Sequence, residues 1–136
     1  MKPIYTLGYL AGWTLPALKI EAAHLAALVW DVRFCPRSQK PGWNKDEIAR
    51  FLPNRYEWMF LLGNKNYKSD GPIELVNPAK VERRVGTILL HSPIIFLCGC
   101  PKAETCHRST AASYFAERLG CEVIHLAAPK QTKEPA

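Results

Sequence analysis

The feature that most constrains this chain is a regular alternation of short β-prone runs with amphipathic helical segments. The β-prone runs lie at residues 4–7, 29–34, 56–62, 93–98 and 122–126. Several of the segments between them have apolar residues at spacings of three and four, which is typical of helices. The order predicts an α/β fold with three layers, in which a mostly parallel sheet of about five strands carries helices on both faces.

Helix start and stop signals place four helices, at residues 15–28, 45–52, 78–90 and 105–119. Asn44 occupies the N-cap position of the second helix, with Glu47 at the capping-box position. Asn77 and Pro78 begin the third helix, and Gly120 ends the fourth. We predict that residues 1–126 form a single α/β domain and that residues 127–136 form a flexible C-terminal tail.

The charge balance is basic: 18 Lys and Arg residues against 12 Asp and Glu residues, for a formal net charge of +6. A basic surface favours anionic partners, either a phosphate-bearing small molecule or a nucleic acid. The alternative is that the charge serves solubility and includes a lysine-bearing tail.

The composition also bears on the cellular compartment. No apolar run is long enough to span a membrane, and the first residues lack the pattern of a secretory signal. The chain has 5 cysteines, an odd number that cannot pair completely. We therefore expect reduced thiols, a cytoplasmic location and no membrane partner. The sequence does not indicate an oligomeric state.

The segment at residues 98–110 runs from a strand through a loop into the last helix. The first backbone N–H groups of a helix lack intrahelical partners and can bind an anion, and Arg108 can add a bidentate contact. Cys106 lies in the same field, which should favour its thiolate. Alternatively, Cys98 and Cys106 are small core residues and Arg108 pairs with Asp31.

Other polar residues follow the earlier strands, whose carboxyl ends should meet at the same edge of the sheet. Asp31 can orient a neighbouring arginine, and His107 can act as an acid or base near neutral pH. We predict Asp31, Cys106 and His107 as candidate catalytic residues. The candidate ligand-binding residues are Gly8, Tyr9, Arg33, Ser38, Asn44 and Arg108.

A second hypothesis is a thiol-dependent enzyme or redox sensor that uses Cys106, Cys98 or Cys100. Cys100 lies eight residues before Arg108, which is longer than a tight phosphate-binding loop usually allows. Cys98, Cys100, Cys106 and His107 lack the spacing of two paired zinc-ligand knuckles. The sequence therefore predicts no metal site and no cofactor.

A third hypothesis is a non-enzymatic module that docks through a basic face. Separately, Arg33, Arg37, Lys40 and Lys45 surround Trp43 in the sequence and resemble a basic surface with an aromatic platform, as single-stranded nucleic-acid or nucleotide binding would use. The alternative for this segment is a solvated loop with a buried tryptophan.

The chain resembles the Domain of Unknown Function 488 family along nearly its whole length. The matching residues are 6–9, 31–33 with Pro36 and Ser38, 41–44, Tyr56 with 62–63, 106–108 and 123–126. The resemblance implies an α/β fold and a polar cluster of Asp31, Arg33, Cys106, His107 and Arg108, but no activity. Family members usually have a histidine where Tyr9 stands and an acidic residue where Cys100 stands. If those positions serve acid–base chemistry, this member has lost it.

Overall fold

A computed structural model describes residues 1–130 and contains one five-stranded sheet. All strand pairs are parallel, so the predicted α/β fold with a mostly parallel sheet is confirmed. The sheet order is β3-β2-β4-β1-β5. The strands are β1 (Ile4–Gly8), β2 (Leu28–Asp31), β3 (Tyr56–Trp58), β4 (Ile94–Cys98) and β5 (Val123–His125).

Helices cover both faces of the sheet, which gives the predicted three layers. They are α1 (Leu15–Leu25), α2 (Lys45–Phe51), α3 (Glu82–Leu89) and α4 (His107–Leu119). One core cluster combines side chains of α1 and α2 with Leu7 and Leu97, and the other combines α3 and α4 with Ile4 and Phe96. Because side chains alternate between the faces of a strand, β1, β2 and β4 each supply side chains to both cores.

The central strand β4 explains why the sheet is parallel and buried. Residues Ile94 to Leu97 are fully buried, and their partners lie in β1 on one side and β2 on the other. A continuous apolar run of this kind is stable only between two covering layers. Burying each of its large side chains contributes about 1.5–3 kcal/mol.

Several element boundaries differ from the predicted ones. The first helix ends at Leu25 because Ala26 adopts a left-handed conformation (φ 53°) and the chain then enters β2. The second strand ends at Asp31, although the Val32 N–H still donates to Leu97 O at 3.0 Å. The predicted strand at residues 56–62 is β3 followed by the 3-10 turn Phe60–Leu62. The predicted helix at 78–90 begins with the 3-10 turn Pro78–Val81. The predicted helix at 105–119 begins only at His107, because the extended residue Cys106 separates it from the 3-10 turn Ala103–Thr105.

Chain topology brings three loops to one edge of the sheet. The crossovers through α1 and α2 lie on one face, and those through α3 and α4 lie on the other. The carboxyl ends of β1, β2 and β4 are neighbours at the point where the face changes. Ligands of open α/β sheets bind in the crevice at such a point.

The described residues also bear on membranes and on the predicted tail. Within residues 1–130, no helix is both long and apolar enough to span a bilayer. Of the predicted tail at 127–136, residues 131–136 lie outside the described residues.

Candidate functional site

A cleft of about 490 Å³ lies at the carboxyl edge of β1, β2 and β4. Its wall on one side is the loop at residues 63–76, where Asn64 Oδ1 accepts the N–H groups of Asn66 and Glu74 at 3.0 Å each. Three cationic side chains, Arg33, Arg37 and Lys68, line the cleft. Among the described residues that line it, none carries a carboxyl group. The cleft therefore has a cationic, carboxylate-free lining.

Arg33 is held on the cleft floor by Asp31. Its Nε donates to Asp31 Oδ1 at 2.8 Å and its second terminal nitrogen donates to Oδ2 at 2.6 Å. The Arg33 backbone N–H adds a bond to Oδ1 at 3.2 Å. Burial alone would lower the pKa of Arg33, but the hydrogen bonds and charge of Asp31 outweigh it and raise that pKa. The guanidinium stays charged and fixed in direction.

Tyr56 supplies a fourth hydrogen bond to the same carboxylate. Its hydroxyl donates to Asp31 Oδ2 at 2.5 Å. Burial, together with the negative charge of Asp31, raises the pKa of Tyr56. The phenol therefore remains a proton donor that fixes the carboxylate. Sequence analysis matched Tyr56 to the family pattern but did not predict this contact, because it depends on the β2–β3 register.

Tyr9 contacts the part of the Arg33 guanidinium that Asp31 does not bind. Its hydroxyl accepts a bond from the remaining Arg33 terminal nitrogen at 3.3 Å, and its ring stacks on Trp43 with centroids 4.6 Å apart. A Cβ at Gly99 would lie 3.0 Å from the Tyr9 hydroxyl oxygen, so the ring packs against a position that suits glycine. Trp43 is 2% exposed, so the hypothesis that it forms an exposed aromatic platform was wrong.

Arg108 lies at the same edge but behind the cleft lining. It is 3% exposed, and one terminal nitrogen donates to Cys100 O at 2.6 Å. Its guanidinium covers Gly8, where a Cβ would lie 2.9 Å from the Arg108 nitrogen and 2.0 Å from Cys100 O. The absence of a side chain at Gly8 therefore allows the loop after β4 to pack against the end of β1. The Nε atom of Arg108 is buried and has no hydrogen-bond partner among residues 1–130.

His107 is the first residue of α4 and lines the cleft with 9% of its surface exposed. Its Nε2 lies 2.5 Å from Val32 O, a carbonyl that can only accept, so Nε2 carries the proton. In the neutral ring Nδ1 is then the nitrogen with the lone pair, and it lies 3.7 Å from Cys98 Sγ. The ring is thus oriented by the residue that follows β2 and faces the end of β4.

The two thiols beside His107 have different acidities. The hydrogen bond that Cys106 donates to Cys98, together with burial, raises the pKa of Cys106 to about 12. The expectation that the helix N-terminus favours a Cys106 thiolate was wrong, because the neighbouring sulfur and the loss of solvent outweigh that field. The same bond, assisted by the backbone N–H groups of Cys100 and Gly99, lowers the pKa of Cys98.

Asn44 and Ser38 lie beside the cleft. Asn44 lines an adjoining cavity of about 520 Å³, which shares Arg37 with the cleft. The Asn44 side chain accepts the Ser38 N–H at 2.8 Å and donates to Glu47 at 2.8 Å. Asn44 is the N-cap residue as predicted, but its side chain does not cap the helix, and Glu47 accepts instead from Gly42 N–H at 3.1 Å.

The sequence analysis missed the outer wall of the cleft. Tyr67, Lys68 and Ile73 line it, yet they belong to a loop without helical or strand periodicity. Phe34 was assigned to a strand, and its ring contacts Tyr67 with centroids 5.1 Å apart. No local sequence signal connects these positions, since their proximity follows from the path of the loop.

Comparison with protein families identifies part of the chain. Residues 17–72 match the model of the family described as Domain of unknown function DUF488. The match covers less than half of the chain and supports the resemblance to the DUF488 family. The DUF488 match includes Asp31, Arg33 and the cationic residues Arg37 and Lys68, whereas β4 and the Cys106–His107–Arg108 segment follow it. No curated protein and no solved structure matches the chain.

Proposed function

We propose that the cleft binds a small ligand that carries a phosphate group beside an aromatic or apolar group, as a nucleotide does. The observation that carries this proposal is the charge of the lining: Arg33, Arg37 and Lys68 face the cleft without a carboxylate among its described lining residues. Such a site favours anions and accelerates their association at low ionic strength.

The three cations play different parts in this proposal. Asp31 neutralises Arg33, so Arg33 contributes direction and hydrogen-bond donors more than net charge. Arg37 and Lys68 are exposed, and no ion pair joins them to the described residues, so they supply the net positive charge. Asp31, Tyr56 and Tyr9 are positioning residues that hold Arg33 in place.

The apolar part of the lining supports a ligand with a ring. Phe34 and Tyr67 are stacked, and Ile73 and Leu10 extend the same lining. A base stacked on such a surface contributes about 1–3 kcal/mol. The volume of about 490 Å³ lies in the range of small-molecule pockets.

Calorimetric titration of the full chain with a nucleoside diphosphate and with the parent nucleoside tests this proposal. We expect the diphosphate to bind more tightly than the nucleoside, and added salt to weaken it. Arg37→Gln should weaken diphosphate binding by about tenfold, because a bond to a charged group contributes about 1.5–3 kcal/mol. The matched control is Arg83→Gln, an exposed arginine on α3 that lines none of the described cavities.

Equal effects of the two substitutions, or equal affinity for nucleoside and diphosphate, would contradict an anion site in the cleft. A short single-stranded oligonucleotide serves as a further arm. If it binds more tightly than the diphosphate and remains sensitive to Arg37→Gln, nucleic acid is the preferred ligand of the same cleft.

A further inference from the structure

Three metal-binding side chains converge on the floor of the cleft, although they are not spaced like a zinc knuckle. They are Cys98 at the end of β4, Cys106 at the N-cap of α4 and His107 in its first turn. One ligand atom from each lies within 4.8 Å of the others. All three are buried, and all three line the cleft, so an ion has a path to them.

The orientation of His107 is that of a metal ligand. Its Nε2–H donates to the carbonyl of Val32, and this bond leaves the Nδ1 lone pair facing Cys98 Sγ at 3.7 Å. Histidine ligands in metal sites are typically oriented in this way, by a bond from the other ring nitrogen to a carbonyl or carboxylate. The backbone carbonyl that follows β2 has therefore already set the tautomer that a metal needs.

The size and charge of the cluster also fit a divalent ion. Bonds of about 2.3 Å to sulfur and about 2.0 Å to nitrogen place tetrahedral ligand atoms about 3.5–3.8 Å apart. The ligand atoms lie within 4.8 Å of one another, so binding would require them to move closer by about 1.0–1.3 Å at most. Two thiolates balance a divalent cation, and the nearby Asp31–Arg33 pair is neutral by itself.

We propose that Cys98, Cys106 and His107 bind one Zn²⁺ ion whose fourth coordination position opens into the cleft. Binding forms two zinc–sulfur bonds and one zinc–nitrogen bond, and the two thiol protons leave to solvent. Three protein ligands with an open position are typical of zinc ions that act on a substrate. The proposal goes beyond anion binding by Arg33 and Arg37 and does not depend on it.

Titration of the reduced, full-length chain with Co²⁺ under anaerobic conditions tests the site without a nucleotide. We expect a thiolate-to-cobalt charge-transfer band that saturates at one equivalent and disappears when Zn²⁺ is added. We expect each of Cys98→Ser, Cys106→Ser and His107→Gln to weaken metal binding by at least about tenfold. Even loss of a residue that only hydrogen-bonds to a ligand lowers metal affinity by about 10–100-fold. Cys35→Ser is the matched control, because Cys35 lines the cleft outside the cluster.

X-ray absorption of the unsubstituted zinc-loaded chain keeps the proposal testable if a substituted chain fails to fold. Two sulfur and two lighter ligands would support it. A zinc coordination shell without sulfur would overturn the site. So would a shell with three sulfur ligands of which one is lost in Cys100→Ser, because Cys100 would then occupy the position proposed to be open. Absence of a cobalt band, combined with rapid alkylation of Cys98 that zinc does not slow, would overturn metal binding and favour thiol chemistry.

Discussion

The carboxylate of Asp31 holds the guanidinium of Arg33 through two bonds of 2.6 and 2.8 Å at the end of β2, where Asp31 has no exposed surface and Arg33 has 6%. This pair connects the interior of the sheet to the cleft. The remaining Arg33 terminal nitrogen points to Tyr9, so each side of the guanidinium has a fixed neighbour.

Asp31→Asn should destabilise the fold strongly. The substitution keeps the shape but leaves the charge of Arg33 buried without its counterion, a change that costs about 3–5 kcal/mol. Chemical denaturation measures the free energy of unfolding. The control is Glu57→Gln, which removes a carboxylate from the bidentate pair with Arg84 at the surface and should cost about 0–1 kcal/mol. Similar losses for both variants would show that burial does not distinguish the two pairs.

Gly8→Ala should disrupt the loop after β4. The new Cβ would overlap Cys100 O at 2.0 Å and press on the Arg108 guanidinium at 2.9 Å. We expect a loss of about 3 kcal/mol or more in the free energy of unfolding. Gly86→Ala on α3 is the control, where the Cβ would lie 3.7 Å from Leu119 and should stabilise the helix by about 0.5–1 kcal/mol. A tolerated alanine at residue 8 would mean that this loop moves freely.

Tyr9→Phe should cost about 0.5–1.5 kcal/mol, because it removes the hydroxyl that accepts from Arg33 and retains the ring that stacks on Trp43. Thermal and urea unfolding measure the change. Tyr5→Phe is the matched control, since the Tyr5 hydroxyl makes no hydrogen bond within residues 1–130. An equal loss at both tyrosines would remove the assigned role of the Tyr9 hydroxyl.

Asn44→Asp should destabilise the start of α2. The amide nitrogen that donates to Glu47 at 2.8 Å would become a carboxylate oxygen facing another carboxylate. We expect a loss of about 1–3 kcal/mol. Adding Glu47→Gln should restore most of it, because the glutamine amide can donate to the new aspartate. If the double variant is less stable than Asn44→Asp alone, the two side chains do not interact as described.

Local patterns were sufficient to predict the order of strands and helices, because the apolar run of β4 and the spacing of α1 reflect the two faces they cover. They were also sufficient to predict that Asp31 and Arg33 lie at the edge of the sheet where β1 and β4 end. The contacts of Arg108 could not be predicted, since the side chain packs on Gly8 through the path of a loop.

The acidity of Cys106 and the role of the loop at 63–76 were beyond sequence reasoning for a similar reason. The pKa of Cys106 depends first on one sulfur atom eight residues earlier in the chain. Lys68 and Tyr67 belong to a polar segment without periodicity, so nothing local indicates which cleft they line.

The most direct test of the proposed cleft is a crystal structure of the full chain grown with a saturating nucleoside diphosphate. We predict density for the phosphate groups between Arg33 and Arg37, with the base against Phe34 and Tyr67. Density for the ligand on another surface, or an occupied cleft in which the phosphates contact neither arginine, would contradict the proposed role of the Asp31-held guanidinium.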